Sequence, residues 1–278
     1  MLHVVTKKVL NHYQVLGGST AMNAMYLIRP SEVEINAWAG LMVKEDKNAA
    51  KAWEWKTFYE YMKKSETFTP PQSTLAIPFK WSNKTHGSSG PMQVSYPSMC
   101  VWVFSYITRW LISSYSMMSQ VGDWTPTLEN IGIPALEEPN GGVTLGALVA
   151  PSWINPSNWT RSYSKVAYLD PVIERRNLAI RVNTTVTRII FSDGSGDITA
   201  TGVELAGSAS DPRQTVSVKK EIILAAGVVG SPQVLMLSGI GPADVLQAVN
   251  ISVKVNLPGV GQHLQDHLVC LFHLLRSF

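Results

Sequence analysis

A strand-like apolar run that passes directly into a glycine-containing helix start constrains the fold of this chain more than any other feature. The run is residues 222–226 (IILAA), and the junction that follows is 227–232 (GVVGSP), where Ser231 and Pro232 are residue types preferred at a helix N-cap and first turn. Upstream, apolar residues alternate between turn-forming residues from 177 to 224, which predicts successive strands. A strand meander inserted among strand-to-helix units predicts an α/β (α+β) architecture with a mixed sheet.

Local signals predict the elements on either side of this junction. Ser31 with Glu34 three residues later is a capping-box pattern, which predicts a short helix through Trp38. The apolar spacing over 53–66 predicts a second helix, and the Pro, Ser, Thr and Gly content of 67–98 predicts a loop. The remaining predictions are a helix pair over 160–176 broken at Pro171, strands over 178–182, 186–190, 203–205 and 216–224, a turn at 192–197, helices over 231–237 and 242–249, a strand over 251–257 and a turn at 258–261.

Composition and charge exclude several classes of function. The chain has 278 residues, of which 45% are hydrophobic and 15% charged, so it can bury a core and is not expected to be disordered. The net charge of +3 comes from scattered pairs and not from a basic stripe, so no nucleic-acid partner is expected. The two cysteines, Cys100 and Cys270, provide no zinc site, and the six histidines lack metal-ligand spacing, so no metal is expected.

Two segments bear on secretion and membrane association. Residues 1–16 carry Lys7 and Lys8 where an apolar signal core would lie, so no signal peptide is predicted there. Residues 99–118 are apolar enough to suggest a membrane span, but Arg109 at their centre would cost about 2.5–3.5 kcal/mol, so no membrane partner is expected. Four glycosylation sequons weakly favour a secretory origin; they begin at Asn83, Asn158, Asn183 and Asn250.

The first candidate binding motif is the glycine pair Gly17 and Gly18, with Ser19 directly after it and Asn23 further along. Glycines let the backbone approach a planar or anionic group closely, and successive backbone amides can bind phosphate. Taken alone, a Gly-Gly-Ser sequence is more often a simple turn.

The second candidate is the strand-to-helix junction at Ala226 and Gly227, whose small residues would let the backbone pack against a cofactor, while the following helix N-terminus offers free amides. Taken alone, tight packing of the strand against the helix explains these residues better. Residues 259–264 (GVGQHL) fit only the first half of a dinucleotide fingerprint, so they indicate a nucleotide loop weakly. Asp266 and His267 are adjacent, and sequence neighbours do not face one another, so they are not predicted to form a catalytic dyad.

Together and in this order, these motifs resemble the signatures of the glucose-methanol-choline (GMC) oxidoreductase family. The resemblance extends over about 15–98 and 121–268, and fungal aryl-alcohol-oxidase-like members look most similar. The segments that carry it are residues 16–36 (LGGSTAMN through Arg29-Pro30 to Asn36), 227–241 (GVVGSPQVLMLSGIG), 257–267 (LPGVGQHLQDH), 124–134 and 164–169.

The resemblance implies a partial FAD-binding fold with part of the substrate domain, and FAD as the cofactor. It implies oxidation of an alcohol or sugar hydroxyl to a carbonyl, with hydride passing to flavin N5, and an extracellular location for full-length relatives. It also implies cofactor contacts at a set of matching positions. These are Gly17, Gly18, Ser19 and Asn23 against the flavin and pyrophosphate, Val186 against adenine, Ala226 and Gly227 at the flavin-side strand end, and Asp266 and His267 in a segment near the flavin.

Two features of the family have no match in this sequence. No strand with a Gly-x-Gly-x-x-Gly loop precedes Leu16, and no segment matches the C-terminal part that carries the catalytic histidine. We therefore assign no catalytic residue, and expect residues 1–278 alone to bind FAD weakly and to be inactive. The alternatives are a non-catalytic fragment or pseudoenzyme, a membrane-anchored module that uses 99–118, and a family member that keeps the flavin without redox turnover.

Three segments do not resemble the family. They are residues 1–14, 98–120 and 269–278. The domain prediction is therefore an incomplete FAD-binding region over 15–278, with these three as atypical segments. The codons at 98–100 and 269–270 can contain GTATGT, a typical fungal intron start, and we hypothesise that the atypical segments are translated introns. A coding sequence without that hexamer at both places would contradict the hypothesis.

Overall fold

The computed structural model describes residues 15–71, 80–96, 122–192 and 197–266. The chain divides into two compact units, residues 1–178 and 179–278, and each is described by itself. Within the described ranges, no helix is long and apolar enough to cross a membrane, and no cluster of His, Cys, Asp or Glu could hold a metal ion. Four sequence-predicted features lie outside these ranges: His267, both cysteines, the segment 99–118 and the centre of the turn at 192–197.

The first unit begins with three helices, which are α1 (Glu32–Met42), α2 (Lys47–Trp53) and α3 (Trp55–Lys64). The predicted capping box is confirmed: the Glu34 N–H donates to Ser31 Oγ at 3.2 Å, and the Ser31 N–H donates to Glu34 Oε2 at 2.8 Å. The sequence pattern did not predict α2. Its cap is the Asp46 carboxylate, whose pKa is lowered because it accepts hydrogen bonds from the backbone N–H groups of Ala49 and Asn48.

Two short strands show that the loop predicted over 67–98 is wrong at both ends. β1 (Glu66–Phe68) and β2 (Met92–Val94) pair in parallel. A three-residue strand is too short to display an alternating pattern, so its sequence does not reveal it. The strands build the core of the unit. Its buried members are Leu27, Phe68, Val94 and Tyr96, and Trp81, Val149 and Trp153 pack against them.

The C-terminal part of the first unit contains a helix at 122–130 (α4) and the antiparallel pair β3 (Ile154–Asn155) and β4 (Thr160–Arg161). A π-helical turn at Lys165–Leu169 and a 3-10 turn at Asp170–Val172 follow. The helix pair predicted over 160–176 is therefore correct only in its middle, because its first residues pair with β3 as a strand.

The second unit contains the predicted β-meander. β5 (Thr185–Phe191), β6 (Ala200–Ala206) and β7 (Gln214–Ser217) form a three-stranded antiparallel sheet in this order. The strand predicted over 178–182 is wrong: no strand of the described residues pairs with it, and Val182 is exposed. Apolar alternation alone is insufficient to form a strand, because an isolated strand leaves its backbone N–H and C=O groups unpaired.

The strand-to-helix junction also differs from the prediction. α5 (Gly227–Leu237) begins at Gly227 and not at Ser231, whose Oγ accepts a hydrogen bond from the Ala226 N–H at 3.1 Å. Residues 222–224 belong to no strand among the described sheets, and Ile223 is 81% exposed. A continuous apolar run of this kind is typical of a strand buried on both faces, and here it lacks the neighbours that would bury it.

The rest of the second unit follows the prediction more closely. α6 (Ala243–Ala248) is confirmed, as is the turn at 258–261. β8 (Ile240–Gly241) pairs in parallel with β9 (Val255–Asn256), so the strand predicted over 251–257 is shorter than expected. Where α5 ends, Ser238 Oγ donates to the Val234 carbonyl at 2.5 Å and accepts from the Ile189 N–H at 2.8 Å, which fastens α5 to β5. Helices with both parallel and antiparallel strand pairs confirm the mixed α/β class.

Candidate functional site

The glycine pair of the first unit serves two different purposes. Gly17 has φ +101° and Gly18 has φ +56°, both in the region that side chains rarely adopt. A Cβ added to Gly17 would lie 2.8 Å from Cδ2 of Tyr163, so the absent side chain makes room for that ring. Among the described residues, no atom would lie within 4 Å of a Cβ added to Gly18. Gly17 is therefore a packing residue, whereas Gly18 presents an open backbone face.

Hydrogen bonds of two hydroxyl groups connect this glycine turn to Ser164, the residue that follows Tyr163. Thr20 Oγ1 donates to the Gly17 carbonyl at 2.5 Å, and Ser164 Oγ also lies within hydrogen-bond distance of that carbonyl, at 3.1 Å. The Ser164 N–H donates to Thr20 Oγ1 at 3.3 Å. The turn leads into the 3-10 helix Gly18–Ala21, and Ser19 in it is exposed. The glycine backbone is thus held in place by neighbours in the fold.

Arg161 in β4 holds the downstream end of the same loop. Its Nη1 donates to the carbonyl of Asn23 at 2.9 Å, to Asn23 Oδ1 at 2.8 Å and to the carbonyl of Thr20 at 3.3 Å. The Met25 N–H donates to the same Asn23 Oδ1 at 3.1 Å. One guanidinium therefore fixes both the backbone and the side chain of the Asn23 region, and the Asn23 side chain itself is exposed.

A second cation lies beside the loop. Lys165 follows Ser164, and its Nζ lies 2.6 Å from Asp170 Oδ1. The pKa of Lys165 is raised because Asp170 accepts a hydrogen bond from the ammonium group. The positive charge of Lys165 is therefore maintained at neutral pH, and Asp170 balances it.

The site residues predicted in the second unit lie in three segments. Val186 in β5 pairs with Leu205 of β6 beside a register shift that follows Val186. Ala226 immediately precedes α5. Gly227 at the start of α5 has φ +83°, and no atom of the residues that the structure describes lies within 4 Å of an added Cβ. Asp266 is exposed, and His267 lies outside the described residues. Gly227 therefore shares with Gly18 the combination of positive φ and an open face.

The motif at 259–264 behaves as a packing turn. Gly261 has φ +74°, and a Cβ added there would lie 3.3 Å from Cε of Met236 in α5. Close packing against a helix accounts for this glycine. This agrees with the sequence analysis, in which the motif indicated a nucleotide-binding loop only weakly.

The structure brings Gly17, Gly18, Ser19 and Asn23 into one loop, as the sequence predicts. Sequence reasoning did not identify the residues that hold this loop, which are Arg161, Tyr163 and Ser164. The contact between Thr20 and Ser164 spans 144 positions along the chain, and no local pattern encodes such a pairing. Only the neighbouring segment 164–169, which resembles the family, pointed toward this region.

Comparisons with known proteins bear on the whole region. A profile of the GMC oxidoreductase family matches residues 5–269. The GMC oxidoreductase family protein Mala s 12 of Malassezia sympodialis is 36% identical over 257 residues, which cover 92% of this chain and 38% of that protein. An FAD-dependent oxidoreductase from Chaetomium thermophilum has a TM-score of 0.72 and 32% identity, covering 88% of this chain and 38% of that one. A fungal aryl-alcohol oxidase has a TM-score of 0.72 and 29% identity, covering 89% and 38%.

These similarities place the chain with the GMC oxidoreductases, in agreement with its mixed α/β fold. The chain belongs to the GMC oxidoreductase family, because the family profile matches nearly all of it. The matching region corresponds to the FAD-binding N-terminal domain of the family, so FAD is confirmed as the cofactor associated with this region. The chain spans 38% of the length of each of the three proteins named above.

Proposed function

We propose that this region binds the flavin nucleotide of an oxidoreductase that oxidises CH–OH groups of a small alcohol or sugar. The observation that carries the proposal is the open face of Gly18, which has positive φ and, in the part of the chain that the structure describes, no atom within 4 Å of an added Cβ. The positive φ by itself favours glycine, and the open space that the described residues leave beside Gly18 would admit a flat ligand. Gly227 in the second unit supports the proposal with the same two properties.

The residues near Gly18 fit a flavin nucleotide chemically. The ring carbonyls and the phosphates of FAD are hydrogen-bond acceptors, and the loop offers the hydroxyl of Ser19 and the amide of Asn23, both exposed. The loop is ordered by contacts with Tyr163 and Arg161, and preorganisation of this kind lowers the entropic cost of binding. We further propose nucleotide contacts at Val186, Ala226, Asp266 and His267, and a direct approach of the ligand to Gly18 and Gly227.

Bound FAD would supply the hydride acceptor, and the residues of this chain would bind and orient it. Oxidation of a CH–OH group also needs a base for the hydroxyl proton, and we assign none in the described part of the chain. His86 is buried, its Nδ1 lies 2.8 Å from Glu66 Oε1 and its ring stacks on Phe68 at 4.0 Å, so we propose a structural role for it. We therefore propose that a polypeptide of residues 1–278 alone is inactive.

The purified 278-residue polypeptide tests this proposal directly. We expect it to bind FAD weakly, with a Kd of about 10 µM or higher, and to reduce no dye or oxygen with alcohol or sugar substrates. The physical reason is that it represents only 38% of the length of the relatives, so much of the ligand's binding surface would be missing. Quenching of FAD fluorescence measures binding, and a dye-reduction assay measures turnover. Turnover would contradict the expected inactivity, and absence of any FAD binding would favour the alternative of a non-catalytic fragment.

A comparison of the two adjacent glycines tests the proposed binding face. Gly18→Ala should weaken FAD binding roughly tenfold, because a methyl group would occupy the ligand's approach, and should cost only about 1 kcal/mol in stability. Gly17→Ala should instead destabilise the first unit by about 2–3 kcal/mol, because φ +101° is strained and its Cβ would meet Tyr163. FAD titration and urea denaturation of both variants separate the two effects. Parental FAD affinity in Gly18→Ala would refute the proposed contact.

A further inference from the structure

We propose that Arg161 is a positioning residue that fixes the Asn23 side-chain amide so that its Nδ2 faces outward as a hydrogen-bond donor to the flavin nucleotide. The proposal rests on the proposed function of the loop, and it adds a specific donor and the residue that orients it. Asn23 carries the ligand contact in this scheme, and Arg161 acts only through Asn23.

Hydrogen-bond chemistry determines the orientation of the amide. Oδ1 of Asn23 lies 2.8 Å from Nη1 of Arg161 and 3.1 Å from the backbone nitrogen of Met25. Both neighbours are donors only, since a guanidinium has no acceptor and a backbone N–H only donates. The atom between them must therefore be the amide oxygen, and a flipped amide would place its own N–H groups against two donors. Nδ2 is therefore the amide atom that these two donors leave available, and the Asn23 side chain is exposed.

Arg161 is itself held by the core of the first unit, so the orientation is built into the fold. Arg161 is paired with Ile154 across the β3–β4 hairpin. Its neighbour Ser162 has its N–H bonded to the Trp153 carbonyl at 2.9 Å, and its Oγ accepts from the Gln93 N–H of β2 at 2.8 Å. The guanidinium reaches the loop from a strand attached to the buried core. A donor held in this way loses little conformational entropy when a ligand binds.

The Asn23 N–H donates to the carbonyl of Ser19, the residue after Gly18, at 2.9 Å. An outward donor on Asn23 therefore suits an acceptor atom of a nucleotide bound at this loop. The flavin ring carbonyls and the pyrophosphate oxygens share this chemistry. Riboflavin has the ring but no phosphate, so titrations with FAD and with riboflavin distinguish the two sources. A defect seen with both ligands would place the acceptor on the ring, and a defect seen with FAD alone would place it on the part that riboflavin lacks, which contains the pyrophosphate.

Asn23→Asp is the decisive variant. Its carboxylate can still accept from Arg161 and from the Met25 N–H, so the loop should remain ordered, but the outward atom becomes an acceptor. We expect FAD binding to weaken tenfold or more, and the hydrogen exchange of the Met25 amide to change less than about twofold. FAD affinity equal to that of the parent protein would overturn the assignment of Nδ2 as the donor.

Arg161→Met tests the positioning role, with Arg161→Lys as the conservative variant. Loss of the guanidinium should speed exchange of the Met25 amide about tenfold or more and weaken FAD binding to a similar degree. Lysine retains donors and should restore part of both properties. Arg188→Met is the matched control, because Arg188 donates to Glu204 in β6 through Nε and Nη2, and both residues belong to the second unit. Unchanged Met25 exchange in Arg161→Met would overturn the proposal.

Failure of the proposed function has a different signature. If the parent protein binds neither FAD nor riboflavin up to about 1 mM, the proposed cofactor role of the loop is wrong, and the donor assignment falls with it. In that case, faster hydrogen exchange of the Met25 amide in Arg161→Met would show only that Arg161 stabilises the loop.

Discussion

Replacement of Arg29 by methionine is expected to lower the free energy of unfolding of the first unit by about 3–5 kcal/mol. Arg29 is 4% exposed and Glu66 is fully buried, with Arg29 Nη2 2.7 Å from Glu66 Oε1. The Arg29 guanidinium also donates to the carbonyls of Thr85 and Asn140 and lies 5.3 Å from the Tyr59 ring centroid. Methionine can fill much of the volume but leaves a buried carboxylate without its cation, and this uncompensated charge accounts for the large effect.

The remaining partners of Glu66 cannot replace the arginine. The His86 Nδ1 and the Gly87 N–H approach the same oxygen, Oε1, at 2.8 and 3.0 Å, while Oε2 is buried with no hydrogen-bond partner among the described residues. Removal of the charge should therefore relieve part of the damage, and we expect the double variant Arg29→Met with Glu66→Gln to be more stable than Arg29→Met alone.

Urea denaturation followed by tryptophan fluorescence measures these differences. Arg188→Met is again the matched control, because the Arg188 side chain is 56% exposed and its ion pair with Glu204 should contribute no more than about 1 kcal/mol. A loss below about 1 kcal/mol in Arg29→Met would show that the buried pair contributes no more than a surface pair.

The buried ion pair matters to the candidate site because the loop and the core share one segment of chain. The Met25 carbonyl accepts from the Trp153 N–H at 2.8 Å, and the Leu27 N–H donates to the Pro151 carbonyl at 2.8 Å. Leu27 belongs to the buried cluster, and Arg29 follows two positions later. The loop that carries Asn23 therefore enters the core within a few residues, and loss of the core would release it.

Features encoded by neighbouring residues were predictable from the sequence. The capping box at Ser31 and Glu34, the β-meander and the glycine turn at 17–18 each depend on residues that lie close together in the chain. The family signatures made the cofactor predictable as well, because glycine and asparagine residues at fixed spacing carry the resemblance.

Features that depend on distant partners were not predictable. The role of Gly17 depends on Tyr163, and the orientation of Asn23 depends on Arg161, whose contact spans 138 positions. The apolar run 222–224 illustrates the converse, since its composition predicts a buried strand but a strand forms only where a neighbouring strand can pair with it. Local patterns therefore identified the candidate binding residues, while their geometry came from tertiary contacts.

Gly90→Ala is expected to destabilise the first unit by about 3 kcal/mol or more, which is exceptional for a single methyl group. The added Cβ would lie 2.2 Å from the Glu66 nitrogen, 2.2 Å from the Ser65 carbonyl carbon and 2.5 Å from the Lys64 carbonyl oxygen. All three are backbone atoms that cannot rotate away. Close contact is needed here because the Gly90 N–H donates to the Glu66 carbonyl at 2.9 Å, and the Gly90 carbonyl accepts from Thr67 Oγ1 at 2.6 Å.

Gly40→Ala is the matched control for this prediction and should have the opposite sign. Gly40 is exposed within α1, and no described residue has an atom within 4 Å of a Cβ added there, so alanine should stabilise the helix by about 0.5–1 kcal/mol. Urea denaturation of both variants compares the same chemical change in open and closed surroundings. If the free energy of unfolding of Gly90→Ala fell by less than about 1 kcal/mol, the backbone around β1 would have to shift at little cost to admit the methyl group. A large loss of stability would instead show that the segment bearing Glu66 is rigid. A rigid segment is what the buried carboxylate of Glu66 needs to keep its contact with Arg29.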